Sequence, residues 1–198
     1  MASIVNSLAF SSLSPAWLRG RMRGALICST FGAVWMLEAL FFGGSATPAW
    51  LTLIGMLAVA AIAWPWIRLR SFRSIPYSAA DRERWAAVAV PYWINCAIEW
   101  VLCSAAAFWL AHIHQYALIP VCLGVIIGLH FLPLGKIFKS PIYYGTGAAM
   151  VLGSLASLAV HAGPLRNIAS FGVNGLSLWV TAAVILFQDW ISKREEEN

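Results

Sequence analysis

The chain has 198 residues, of which 61% are apolar and 11% charged, with a mean hydropathy of +0.76 and a formal net charge of +5. An ordinary soluble domain carries about 25% charged residues, so this composition excludes a fold solvated by water on all sides and points to one solvated by lipid. Six spans of about 20 residues each consume most of the chain, which leaves one domain and no extramembrane domain.

Residues 1–23 form the expected N-terminal arm. Its apolar run from Ile4 to Leu13 is broken by serines and lacks a preceding basic residue, unlike a signal peptide. The arm is instead expected at the membrane interface on the cytoplasmic side, with Trp17 at headgroup level. The six-span domain then covers 24–192, and 193–198 form a cytoplasmic tail. Span one is expected at about 24–43 and carries Glu38; the Gly43–Pro48 turn leads to span two at about 49–67. The longest loop follows, with five arginines between Arg68 and Arg84, and its second half reads as a short interfacial helix.

Span three, about 85–111, contains Pro91, Asn95 and Glu99. Span four, about 116–135, contains His130 and Pro133, and span five covers about 142–162 after Pro141 opens its first turn. Gly145, Ala149, Gly153 and Ser157 recur every fourth residue there, and Gly124 and Gly128 do so on span four. Such small-residue stripes let helices approach closely, so spans four and five are expected to pack as a tight hairpin. Span six, about 171–191, ends beside Gln188 and Asp189, the latter expected to pair with Lys193 or Arg194.

Twelve of the thirteen basic residues fall at one end of these spans: Arg19, Arg21, Arg23, Arg68, Arg70, Arg73, Arg82, Arg84, Lys136, Lys139, Lys193 and Arg194. Only Arg166 falls at the other. Short flanking loops rich in Lys and Arg stay in the cytoplasm, so both termini are expected there, in an all-α bundle of six transmembrane helices. The basic residues are dispersed over span ends rather than gathered on one face, which argues against nucleic acid and for the lipid bilayer as partner. Tryptophans Trp35, Trp93, Trp100 and Trp179 fall within spans. Trp35 precedes Glu38 and Trp100 follows Glu99, so each indole has an acid nearby to accept its N–H, the alternative being rigid space-filling.

Chemistry is sparse. Cys28, Cys96, Cys103 and Cys122 form no C-x-x-C pair, and H-E-x-x-H, G-x-S-x-G and phosphate-binding glycine loops are absent. No catalytic residue and no cofactor is therefore expected. The candidates are intramembrane ionisable groups, which lipid tolerates only when paired, solvated or neutral. Tyr92, Asn95, Glu99 and Cys103 share one helical face, on which Asn95 can bond Glu99 one turn away. Pro133 removes the N–H that would bond the Leu129 carbonyl near His130. Glu38 is expected towards the outer surface, Glu99 centrally and His130 towards the cytoplasm, giving a path for a small solute or proton. His112, His114 and His161 are lesser candidates for a transition metal.

The segment Gly128-Leu129-His130-Phe131-Leu132-Pro133, continuing through Lys136, Phe138, Ser140, Tyr143 and Tyr144, resembles a group of small bacterial six-span integral membrane proteins of unassigned function. Their Gly-x-His-x-x-Pro helix end is followed by a short basic and aromatic turn. The resemblance covers about twenty residues closely and implies a bacterial inner-membrane protein. It brings no activity. Transport or permeation through a cavity lined by Glu and His is the leading expectation, with homodimerisation a further one. An intramembrane lipid-modifying enzyme and a non-catalytic subunit or assembly factor are the alternatives.

Overall fold

The computed structural model describes residues 15–71, 76 and 78–197, and the side chains of 18–71, 76 and 78–188. The arm up to residue 14, Arg73, and the side chains of Trp17, Asp189, Trp190, Lys193 and Arg194 lie outside that description. Among the described residues the chain is all helical: α1 Pro15–Phe42, α2 Pro48–Ser71, α3 Ala79–His112, α4 Ile119–Ile137, α5 Pro141–Ala156 and α6 Pro164–Glu197. Single 3₁₀ turns, Tyr116–Leu118 and Ser157–Ala159, precede α4 and extend α5. All six helices are long and apolar enough to cross a membrane.

Several helices run past the expected span ends. The Arg19–Arg23 cluster lies inside α1 rather than in an arm, because long arginine side chains can reach the headgroups from a continuing helix. The interfacial segment before span three is no separate element but the first turns of the 34-residue α3. A capping box starts it: Ser78 Oγ accepts from the Asp81 amide at 3.1 Å, and Asp81 Oδ2 accepts from the Ser78 amide at 3.3 Å. At the opposite end, residues 164–170 are the first turns of α6 rather than a turn, with Pro164 at its start.

The lone basic residue there has a local role. Arg166 donates from Nε to the Val160 carbonyl at 2.9 Å and from Nη2 to that of Leu158 at 3.4 Å. Those carbonyls end the α5 segment and have no helical donor ahead of them. Asn167 does the same for α1, donating to the Phe42 carbonyl at 3.0 Å.

Helix α6 is the centre of the bundle. It packs most extensively on α1 and also on α5 and α4, while α4 and α5 form a hairpin. α1 and α6 cross where Gly32 meets Gly175: a Cβ on Gly175 would lie 2.9 Å from the Gly32 carbonyl oxygen. Just beyond, the Trp179 indole donates to the Ser29 carbonyl at 3.1 Å.

The α4–α5 approach is as close as the small residues predict, but the register differs. Gly128 faces Gly147, whereas Gly145 has open space around it and Ala149 is exposed. Gly153 packs on Val173 of α6 instead. The buried face of α5 is Thr146, Gly147, Met150 and Ser154. Lipid is as apolar as a leucine, so the face that turns inwards is the one offering close approach together with hydrogen bonds. Thr146 and Thr181 share such a bond at 2.5 Å.

α2 and α3 are peripheral. α2 leans mainly on α1, and α3 packs on α4. α3 turns only one stripe inwards, including Tyr92, Asn95, Cys96, Glu99, Cys103 and Ala106, while Trp93, Ile98, Trp100, Val101 and Phe108 are exposed to the surroundings.

Replacing Gly124 with valine would press its side chain into Ser154 and Asn174 and should lower stability by about 1–3 kcal/mol, the usual cost of overpacking. Gly145→Val, in open space, should change it by no more than about 0.5 kcal/mol. Unfolding in mixed micelles checks both; equal effects would contradict this packing.

Candidate functional site

Three of the polar residues singled out from the sequence meet in one place. Asn95 and Glu99 lie one turn apart near the middle of α3, and His130 projects from α4 between them. His130 Nδ1 is 3.3 Å from Glu99 Oε2 and 3.0 Å from Asn95 Nδ2. Asn95 Nδ2 also donates to the His130 backbone carbonyl at 3.1 Å. The His130 side chain is 9% exposed and that of Glu99 21%. The cluster is thus closed over the imidazole and partly open at the carboxylate.

This corrects two expectations. Asn95 does not serve Glu99 within its own helix; both reach across to His130. Glu99 and His130 are also not successive stations at different depths but direct partners. The reason is geometric: spacings of four residues on α3 point both side chains at the same stretch of the facing helix.

The remaining candidates fall elsewhere. Tyr92 lies on the same stripe and packs edge-on against Phe138 at a centroid distance of 5.9 Å, so it walls the α3–α4 seam. Glu38 is half-buried on α1, with no hydrogen bond or ion pair among the described residues and none to Glu99 or His130. Neither tryptophan serves its neighbouring acid. Trp35 is buried and packs on Phe171 at 5.4 Å, and Trp100 is 71% exposed. Both behave as space-filling or lipid-facing rings.

His112, His114 and His161 do not assemble, and no group of three metal-capable side chains occurs among the described residues. His112 ends α3, whereas His114 has the left-handed φ of 58°. An H-x-H pair brings its rings together only on extended backbone, where side chains two apart share a side. His130 has no polar partner in the described part of the arginine-rich segment between α2 and α3, as headgroup chemistry at the imidazole would require.

Chemically, the cluster can hold one proton in alternative positions. With its lone pair free, Nδ1 accepts a hydrogen from Asn95 or from a protonated Glu99. With Nδ1 protonated, it donates to the Glu99 carboxylate, and Asn95 keeps only its bond to the His130 carbonyl. Transfer over this short distance interconverts two neutral groups and an ion pair. Asn95 favours the unprotonated nitrogen and Glu99 the protonated one.

A second polar junction lies among α4, α5 and α6. Asn174 is fully buried; its Nδ2 donates to Ser154 Oγ at 3.1 Å, and Ser154 Oγ donates to Asn174 Oδ1 at 3.2 Å in the alternative hydroxyl orientation. Gly124 supplies the space, since a Cβ there would collide with both side chains. Sequence reasoning passed over Asn174, although Ser170, Asn174, Ser177 and Thr181 form a polar stripe at helical spacing. At the arginine-rich end, Arg21 donates to Gln188 Oε1 at 2.6 Å, tying the start of α1 to α6.

Comparison with protein-family models, with curated proteins and with solved structures gave no match in any of the three. The likeness noted at residues 128–144 therefore finds no family model to support it.

If the triad is a coupled unit, Glu99→Gln and His130→Gln should be non-additive. A double-mutant cycle on stability in bicelles should give a coupling of about 0.6 kcal/mol, the average for intramembrane hydrogen bonds, and at most about 1.7 kcal/mol. Strict additivity would show that the two side chains do not interact.

Proposed function

We propose that the protein is a small transport or permeation protein in which Asn95, Glu99 and His130 form a site for a proton or small cation. The observation that carries this reading is the 3.3 Å approach of His130 Nδ1 to Glu99 Oε2, with Asn95 bonded to the same imidazole. An ionisable pair inside a membrane-spanning bundle costs free energy that a purely structural contact between apolar helices would avoid. Its partial exposure at Glu99 leaves a route for a proton or solute to arrive.

The placement on α3 supports exchange rather than permanent sealing. Among the described residues α3 packs mainly on one neighbouring helix, α4, and Pro91 and Pro133 each remove a ladder hydrogen bond within about one turn of the cluster. Small displacements between α3 and α4 would alter access to the pair without repacking the core around α6. Glu38, standing apart on α1, is an accessory group in this reading.

The proposal includes a bacterial inner membrane with both termini in the cytoplasm, from the arginine distribution and the positive-inside rule. Single cysteines introduced into a cysteine-free variant test the orientation in intact cells. An impermeant maleimide should label the 43–48 turn from outside and the Lys136–Ser140 turn only after permeabilisation; the reverse pattern would overturn it.

The function is tested in proteoliposomes carrying an imposed pH gradient and an internal pH dye, with small monovalent cations supplied in turn. The wild-type chain should dissipate the gradient. Glu99→Gln and His130→Gln should fall to the rate of protein-free vesicles, Asn95→Ala should be intermediate, and Glu38→Gln close to wild type. Unchanged proton and cation flux in both Glu99→Gln and His130→Gln would sink the proposal.

A further inference from the structure

Glu38 stands on a face of α1 that the bundle leaves largely uncovered. Ile27, Phe31, Val34, Glu38 and Phe41 follow the three-and-four spacing of one helical face. Around the carboxyl, Phe31 is 53% exposed, Val34 46% and Phe41 61%. The inward side of α1 lies elsewhere: Gly32 meets α6, and Trp35 and Ala39 are buried.

The direction of the side chain matters as much as its face. Glu38 lies four residues, about 6 Å of helix rise, before the last residue of α1, Phe42. Side chains in a helix lean back towards its N-terminus. The Glu38 carboxyl is therefore directed away from the nearby 43–48 turn, which works against its reaching headgroups or water at that end. Acids within membrane spans almost always face the bundle interior or a water-filled cavity, and pair there. Glu38 has no hydrogen bond or ion pair among the described residues.

A second copy of this chain is poorly equipped to supply the missing partner. Twelve of its thirteen Lys and Arg residues lie at the opposite end of the spans. Arg166, the exception, already donates to the Val160 and Leu158 carbonyls. His112 is the last residue of α3, and His114 and His161 lie outside the helices, so all three sit at the level from which Glu38 leans away.

We propose that the Ile27–Phe41 face of α1 is an interface for a membrane-spanning helix of a different protein, which places a Lys or Arg side chain against Glu38. Charge complementarity carries the assignment. An acid in lipid becomes tolerable once an opposite charge pairs with it, and the flanking Phe31, Val34 and Phe41 supply the close contact that holds helices together in lipid. The interface lies on a different helix from the Asn95–Glu99–His130 cluster and holds whether or not that cluster carries protons.

The test uses the full chain in the cells that make it, with the photocrosslinking residue p-benzoylphenylalanine in place of Phe31 or Phe41, or of the exposed Phe108 on α3 as a control. Irradiation should give, at 31 and 41 but not at 108, an adduct with a chain of different mass whose spanning segment carries Lys or Arg. Glu38→Gln should reduce that adduct about tenfold or more, the scale of losing one member of a buried charge pair. Exchanging the charges, with Glu38→Lys here and Glu in place of the partner's basic residue, should restore it, which contact between apolar surfaces alone would not do. Because Glu38 has no partner among the described residues, Glu38→Gln should leave the thermal unfolding midpoint of the purified protein in detergent unchanged. An adduct of twice the chain's own mass, no protein adduct at 31 or 41, an adduct indifferent to Glu38→Gln, a partner lacking Lys and Arg, or a lowered midpoint would overturn the proposal.

Discussion

The close approach of α6 to its neighbours is the constraint on which the rest of the structure depends. Lipid supplies no hydrophobic force to drive one apolar helix onto another, so association must come from contact at short range and from hydrogen bonds. Gly32 and Gly175 let α1 and α6 touch backbone to backbone, and Gly124 opens the space in which Asn174 and Ser154 bond. Thr146 and Thr181 add a further link between α5 and α6. Each device requires a missing or small side chain opposite it, which makes the core intolerant of added volume.

From this core the peripheral helices are hung by fewer contacts, and each carries a polar feature at its seam. α3 meets α4 through an aromatic wall and the Asn95–Glu99–His130 cluster. α2 meets α1 beside a cavity edged with arginine. Segments with few buried contacts open at lower free energy than the core. The ionisable groups therefore sit where the bundle has fewer buried contacts, which is what the proposed exchange of protons or solute needs.

Much of the polar stripe on α3 was legible because it is a local property. Residues four apart share a face in any helix, and a carboxylate in an apolar span must find a partner. The identity of the partner was not local. Within α3, Asn95 is a sufficient donor for Glu99, and nothing in the spacing of α3 reveals that α4 places an imidazole between them. The small-residue stripe on α5 was misjudged for a related reason. Two glycine registers, one through Gly145 and one through Gly147, are available on that helix, and the choice rests on what α4 and α6 present.

Hydropathy, charge asymmetry and turn residues are read along the chain, and they were enough for six helices and one arginine-rich end. They also marked Asn95, Glu99 and His130 as costly in lipid. The tertiary structure alone decided that those three converge, that Glu38 stands apart, and that Arg166 caps the end of α5. The division has one physical cause. Insertion into a membrane depends on each segment's own transfer free energy, whereas helix pairing depends on shape and hydrogen bonds contributed jointly by two or three helices.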